Sequence, residues 1–350
     1  MWIKARRRPG GIEDRYVNDL YKIRDNLSEL LHMIQHLDPD TYYSVMAHHI
    51  SEMAKNGNGT DVCLEHGCLP LPVHFYSPVP DIADLQRRNA YCRKSELAGI
   101  EWNVASQVEF FLYLGRRFGT ECAWSAHPTG NPEEFYTENS NFSFGCAAAL
   151  HCMIRFFQPQ RIAEVGSGNS SKIINDAIGC NIREFGSRPS YTVIDPYPEQ
   201  ARINRLVNLS RVVPDLVENV PVSFFSELGD GDILFIDSSH MVKTGGDVNF
   251  LILDVLPTLA PGVVIHFHDI PMPNEYPEVW HTNPAFRAFF TESYLLQAFL
   301  SCNAEFEVLL SMAVTNKNGD ELIQRAFPHY DPMRHSLQSG SIWLRRKKSI

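Results

Sequence analysis

Arg161-Ile-Ala-Glu164-Val-Gly166-Ser167-Gly168-Asn-Ser170 carries the clearest structural pattern in the chain. A short apolar run carries one acid and passes straight into a Gly-x-Gly turn. Ser170 and Ser171 then stand at the mouth of a helical pattern. Glycines at such a turn let the main chain approach a ligand, and the first turn of a helix offers N–H groups that have no intrahelical partner. The stretch therefore predicts strand, tight turn and helix, with a ligand seat at the turn.

Apolar runs recur at 161–165, 191–195, 232–237, 262–267, 305–311 and 341–345. Helical stretches separate most of them, at 170–178, 199–208, 246–256 and 284–300. Apolar strands alternating with helices predict an α/β fold with a parallel, doubly covered sheet. Upstream, Tyr16, Leu20, Ile23, Leu27, Leu30, Leu31 and Ile34 are spaced for one face of a helix over 12–36. Further helices are expected at 39–55, 103–118 and 144–157, with a loop at 124–141. The proline-rich segment 69–80 suits neither a helix nor a central strand. We divide the chain into a mostly helical extension, 1–135, and an α/β domain, 136–350. The extension is expected to serve as a lid, an acceptor-pocket wall or a dimer surface.

Bulk properties narrow the function classes. The 350 residues carry a formal net charge of −10, which disfavours nucleic acid as a partner. Basic clusters at the two ends (Lys4, Arg6, Arg7, Arg8; Arg345, Arg346, Lys347, Lys348) read as solvated tails. No apolar run is long enough for a membrane span, and the basic start lacks the apolar stretch of a secretory signal. Eight scattered cysteines form no disulfide framework and point to a reducing, cytoplasmic compartment. Cys63 and Cys68 flank His66, but no second ligand pair for zinc follows at short spacing.

Ligands of such sheets bind at the carboxyl ends of strands, so the strand ends are informative. The first carries Glu164, Gly166, Ser167 and Gly168; the second ends in Asp195-Pro196. An acid in the second position accepts from two ribose hydroxyls. A dinucleotide fingerprint needs a third glycine and an acid about 20 residues on. Here Ser171 occupies the third-glycine position and Asp195 lies 27 residues after Gly168. A carboxylate at the turn repels a pyrophosphate and suits an ammonium. These features favour S-adenosylmethionine over a dinucleotide. The fourth strand ends in Asp237-Ser-Ser-His240 and the fifth in His268-Asp269. His240 is a candidate general base. Asp237, His268 and Asp269 are candidate ligands for Mg2+ or another divalent cation. His266 reads as a core histidine.

With those residues in place, the chain resembles the class I S-adenosylmethionine-dependent methyltransferases over about 136–346. The resemblance rests on Glu164-Val-Gly-Ser-Gly168, Val193-Ile-Asp195-Pro196, Gly231-Asp-Ile-Leu-Phe-Ile-Asp237-Ser-Ser-His240, Leu259-Ala-Pro-Gly262 through Asp269, and Ser339-Gly-Ser-Ile-Trp343-Leu-Arg345. The Ile-Asp-x-x-His and His-Asp pair is similar to the group that includes sugar and macrolide O-methyltransferases. The resemblance implies a Rossmann-like sheet of seven strands, the last antiparallel and inserted beside the fifth. It implies that Glu164 and the glycine turn, with Ser170, face the methionine part and Asp195 the ribose. Tyr136 and Asn141 would close over the cofactor. Asp237, with His268 and Asp269, would match the cation ligands of catechol-type enzymes, and His240 would stand where those carry a lysine base. Histidine in place of a carboxylate and of a lysine are two departures.

The expected reaction is methyl transfer to a hydroxyl of a small-molecule or sugar acceptor, with His240 taking the proton. Two rivals are weighed: a non-catalytic scaffold that keeps the cofactor fold, and an iron-dependent oxygenase built on His240, His266, His268 and Asp269.

Overall fold

The structure is a computed structural model, and it describes residues 26–29, 32, 38–313, 321, 324–335 and 340–348. Most of the expected helix over 12–36, and the basic residues at 4–8, lie outside the described residues. The chain forms two compact units, 1–81 and 82–350.

In the first unit, Asp38 caps helix Pro39–Asn56 by accepting from Thr41 N at 3.1 Å, and Gly57 ends it in the left-handed region. A short helix, Thr60–Glu65, follows. Residues 69–80 contain no helix or strand, as the prolines predict.

The second unit is built on a seven-stranded sheet. Its strands are β1 (Arg161–Val165), β2 (Ser190–Ile194), β3 (Arg211–Val213), β4 (Ile233–Ile236), β5 (Val264–Phe267), β6 (Phe306–Ser311) and β7 (Ile342–Arg346). The order is β3-β2-β1-β4-β5-β7-β6. All neighbours are parallel except β7, which runs antiparallel to both β5 and β6. This is the class I methyltransferase sheet that the resemblance implied. The order reverses after β1, which leads to β2 on one side and β4 on the other, so a crevice opens at their carboxyl ends.

The central strands are buried on both faces, as parallel strands between helix layers must be. Helix Phe144–Phe157, capped by Ser143, is apolar apart from His151 and Arg155 and is buried almost throughout. A buried polar network ties it to helix Asn169–Phe185. Arg155 bonds to Glu121 at 2.8 Å, to Asn181 and to Glu184, and Asn181 donates to Ile154 O at 3.0 Å. Burial alone would raise Glu121, but His151 and Arg155 hold it at about 2.

Several expectations are corrected. The helix expected at 170–178 extends over Asn169–Phe185, because Asn181 stays on the buried face and Gly186 supplies the left-handed stop. The stretch 199–208 is helical only at Gln200–Ile203. The helix expected at 284–300 begins only at Glu292, and residues 284–291 form no helix. The stretch 246–256 becomes Asp247–Asn249, a π-turn over Phe250–Val255 and a 3₁₀ turn at Leu256–Thr258. β3 is only three residues long at the sheet edge and half exposed, so it left no apolar run to read.

The structure also divides the chain elsewhere than at 135/136. Helix Val104–Phe118 buries Phe111, Leu114 and Phe118 in the same core as Phe235, Leu310 and Trp343 of the sheet. The basic C-terminal residues are not a free tail: Arg345 pairs with Glu307, Arg346 with Glu305, Lys347 with Glu101 and Lys348 with Asp230. Among the described residues, no helix is long and apolar enough to cross a membrane.

Candidate functional site

The glycine turn is shaped by what passes beneath it. Gly166 sits at φ 81°, and its N–H donates to Ile194 O at 2.9 Å. A Cβ at this position would lie 2.0 Å from the carbonyl oxygen of Asp237. Asp237 N in turn donates to Val165 O at 2.9 Å. The turn after β1 and the acid at the tip of β4 are thus in van der Waals contact. Gly168 precedes helix Asn169–Phe185, and a Cβ added there would meet nothing within 4 Å. Open space therefore lies over the turn, where a ligand needs it.

Asp195, one residue past the end of β2, closes on the turn. Its Oδ2 accepts from Ser167 N at 3.0 Å and from Ser167 Oγ, and its Oδ1 accepts from Tyr197 N at 2.8 Å. A carboxylate offers about four acceptor positions, so capacity remains for a ribose hydroxyl. Pro196 is half-buried beside it. The loop with Tyr136 and Asn141 is tied to the helix mouth, because Asn169 Nδ2 donates to Asn139 Oδ1 at 3.2 Å. Tyr136 is half-buried with Lys172 Nζ 5.8 Å from its ring centroid; Asn141 is exposed and accepts from Ser140 Oγ.

Glu164 differs from the expectation. It was expected to face the methionine part, yet its carboxylate is wholly buried under the turn. Oε1 accepts from Ser170 Oγ at 2.7 Å, both oxygens accept from Ser171 Oγ, and Tyr191 OH bonds to Oε2. The helix that starts at Asn169 folds its two serines back over β1, so they reach the carboxylate before solvent does. Burial raises Glu164 to about 7 against the lowering effect of these donors.

That shift carries a stability prediction. The unfolded carboxyl titrates near 4.5 and the folded one near 7, so between those values the folded state binds more protons and stability falls as pH rises. The loss amounts to ~3 kcal/mol across the window. Glu164→Gln is expected to remove this component. Denaturant unfolding of both proteins at pH 5, 6, 7 and 8 checks it; parallel curves would contradict it.

At the opposite wall, the loops after β4 and β5 bring Asp237, His240, His268 and Asp269 together. His240 Nε2 lies 3.2 Å from Asp237 Oδ1 and 3.6 Å from Asp269 Oδ2. His268 Nδ1 lies 3.4 Å from Asp269 Oδ1 and 3.7 Å from Asp237 Oδ1, and its ring stacks on Phe142 with centroids 4.9 Å apart. His240 and Asp269 both hold positive φ, at 58° and 54°. Burial alone would lower His240, but Asp237 and Glu292 raise it to about 10. Burial opposes His268 in the same way, and Asp269 and Asp237 push it well above its usual value. Asp237 is brought below the usual carboxylate range by both histidines, against burial.

Asp237, His240 and Asp269 form a group whose donor atoms all lie within 4.8 Å of one another, a fit for a divalent cation. His268, expected as the third ligand, is not in that group; His240 takes its place. The arrangement also bears on the iron-oxygenase rival. His266 is fully buried and stacked on Phe235 with centroids 4.1 Å apart, so the converging group has one histidine rather than two. His266 is a core residue as expected, with neither ring nitrogen hydrogen-bonded.

Three residues of the site escaped the sequence reading: Tyr191 under the turn, Phe142 over His268, and Glu292. Glu292 starts a helix 52 residues after His240, and its Oε2 lies 2.8 Å from His240 Nδ1. An acid opening a helix was the only local signal, and it names no partner.

Residues 163–270 match the family described as methyltransferase domain. An uncharacterized protein of Archaeoglobus fulgidus is 28% identical over 182 residues, covering 50% of this chain and 80% of its own. Among solved structures, the apo structure of CmcI is similar at 16% identity and a TM-score of 0.33, covering 59% of this chain and 72% of its own. A CmcI structure with Mg and SAM gives 16% identity and a TM-score of 0.31, covering 58% and 72%.

Proposed function

We propose, for a chain that is a class I S-adenosylmethionine-dependent methyltransferase by its matched domain and its sheet order, that the acceptor is a hydroxyl of a small molecule or sugar. The observation that carries this is the contact between Gly166 and Asp237: the turn that would seat the methyl donor abuts the rim that would handle the acceptor's proton.

S-adenosylmethionine, when bound, supplies a methyl group already activated on a sulfonium. The chain's task is then to hold the donor, align the acceptor and remove one proton. The main chain at Gly166, Ser167 and Gly168 offers close approach, and Asp195 would accept from the ribose. Glu164, through Ser170 and Ser171, keeps the turn in place from below. Tyr136, Asn141 and Pro196 border the same opening. His240 takes the acceptor's proton at Nε2, the ring nitrogen that faces the crevice rim. Asp237 and Asp269 would hold a divalent cation beside Nε2 rather than on it, where it would orient the acceptor oxygen and lower its pKa. Phe290, with its ring 4.6 Å from that of His240, and Trp280 against it give an acceptor an apolar wall.

The test is incubation with methyl-labelled S-adenosylmethionine and a panel of phenolic and sugar hydroxyl acceptors, with and without chelator. Label is expected in an acceptor hydroxyl. Chelation is expected to slow transfer by more than about tenfold, reversibly on adding Mg2+ or Mn2+. Tight donor binding with no transfer in any arm would support the scaffold reading instead. Full transfer in chelator would remove the cation.

A further inference from the structure

The loop that presents His240 is gripped by one helix end. His240 O accepts from Thr291 N at 2.9 Å and from Glu292 N at 3.1 Å, the N–H groups at the start of helix Glu292–Leu300. The Glu292 side chain reaches the same residue, with Oε2 2.8 Å from Nδ1. Glu292 is wholly buried, and Val242 N is held next door by Thr291 Oγ1 at 2.8 Å. Ser293 N donates to the buried Tyr276 OH at 2.9 Å, which anchors the helix start itself. A positive φ at a histidine is uncommon, and it persists where surrounding bonds over-determine it.

We infer that Glu292 is the positioning residue for His240: it holds the proton on Nδ1 and so directs Nε2 at the crevice rim. An acid buried this deeply needs a hydrogen-bond partner, and the imidazole Nδ1–H is the one it has. Its other oxygen, Oε1, is buried with no hydrogen-bond partner, so the site retains Glu292 at a desolvation cost that packing alone would not demand. Asp237 and Asp269 lie on the Nε2 side, so a ring flip would set Nδ1 against them and Nε2 against Glu292. The main-chain bonds fix the loop, and the carboxylate fixes the ring. Partners that fix ring orientation are worth roughly 10–100-fold in metal affinity or activity at sites of this kind.

This inference rests on the proposed role of His240, so its test has a readout independent of methyl transfer. Histidine-labelled protein is examined by proton–nitrogen NMR as wild type, Glu292→Gln and Glu292→Ala. A strongly downfield Nδ1–H signal from His240 is expected in wild type, moved upfield in Glu292→Gln and lost to exchange in Glu292→Ala. With a phenol and a methyl hexoside as acceptor probes, kcat is expected to drop about 10–100-fold in Glu292→Ala and to recover partly in Glu292→Gln, whose amide oxygen still accepts. The KM for S-adenosylmethionine is expected to stay put. Should Glu292→Ala fail to fold, Glu292→Gln carries the same comparison. An unmoved ring signal, or kcat within twofold of wild type in the folded variants, would overturn the inference. If wild type methylates neither probe, the hydroxyl-acceptor reading is what fails, and the ring signal still decides the role of Glu292.

Discussion

His240→Asn is expected to lower kcat/KM by about 10²–10⁴-fold and to leave the affinity for S-adenosylmethionine unchanged. Asparagine suits the experiment because it tolerates the left-handed φ of 58° better than alanine, and its amide can still donate to Glu292. That keeps the buried carboxylate from being stranded, so a loss of activity is not a loss of fold. Methyl transfer and donor binding by calorimetry are measured side by side; parallel losses in both would make His240 structural. The pH profile offers a second check. His240 is held at about 10, chiefly by Asp237 and Glu292 against burial, so in the absence of other charge it is an imidazolium at neutral pH. Only the neutral ring accepts a proton. Without divalent cations, kcat/KM is therefore expected to climb through the alkaline range. Added Mg2+ or Mn2+ is expected to shift that rise toward neutrality, because positive charge beside Nε2 disfavours the imidazolium. A profile already flat at pH 7 in chelator would remove His240 as the base.

Gly166→Ala is expected to be the most damaging single substitution for the fold. The added Cβ would meet the Asp237 carbonyl oxygen at 2.0 Å and its carbon at 3.0 Å, both main-chain atoms with no room to yield. The φ of 81° adds strain for any residue with a side chain. Together these place the change in the exceptional class, ~4 kcal/mol or more. Gly168→Ala is the matched control: its Cβ meets nothing within 4 Å, so stability is expected to hold while donor affinity falls. Thermal melting and donor titration of the two variants separate the roles. A Gly166→Ala protein that melts near wild type would show that the contact between β1 and β4 relaxes easily.

The fold was legible where the pattern is local. β1, β2, β4, β5 and β7 are short apolar runs bounded by turns, and helices Val104–Phe118 and Phe144–Phe157 fall within a residue of their expected limits. β3 was not legible, because an edge strand of three half-exposed residues needs no apolar run. The start of helix Glu292–Leu300 was misplaced because the apolar residues before it, Phe289 and Phe290, pack on His281, His240 and Trp280 without helix, and an apolar run alone does not tell the two apart. Of the candidate site, the strand-end residues were legible as types in the right order. Their orientations were not, since a side chain one turn away can claim a carboxylate before any ligand does.

The alternation of apolar strands with helices, the glycine turn after the first strand, and the gathering of Asp195, Asp237, His240, His268 and Asp269 at strand ends are all written in the chain, because periodicity and turn chemistry act over a few residues. Packing in three dimensions turns Glu164 inward to Ser170, Ser171 and Tyr191, brings His240 rather than His268 to Asp237 and Asp269, and sets Glu292 behind the ring. Those outcomes depend on how side chains meet once the elements pack, and each buried polar group takes whatever partner that packing supplies, which no local pattern encodes.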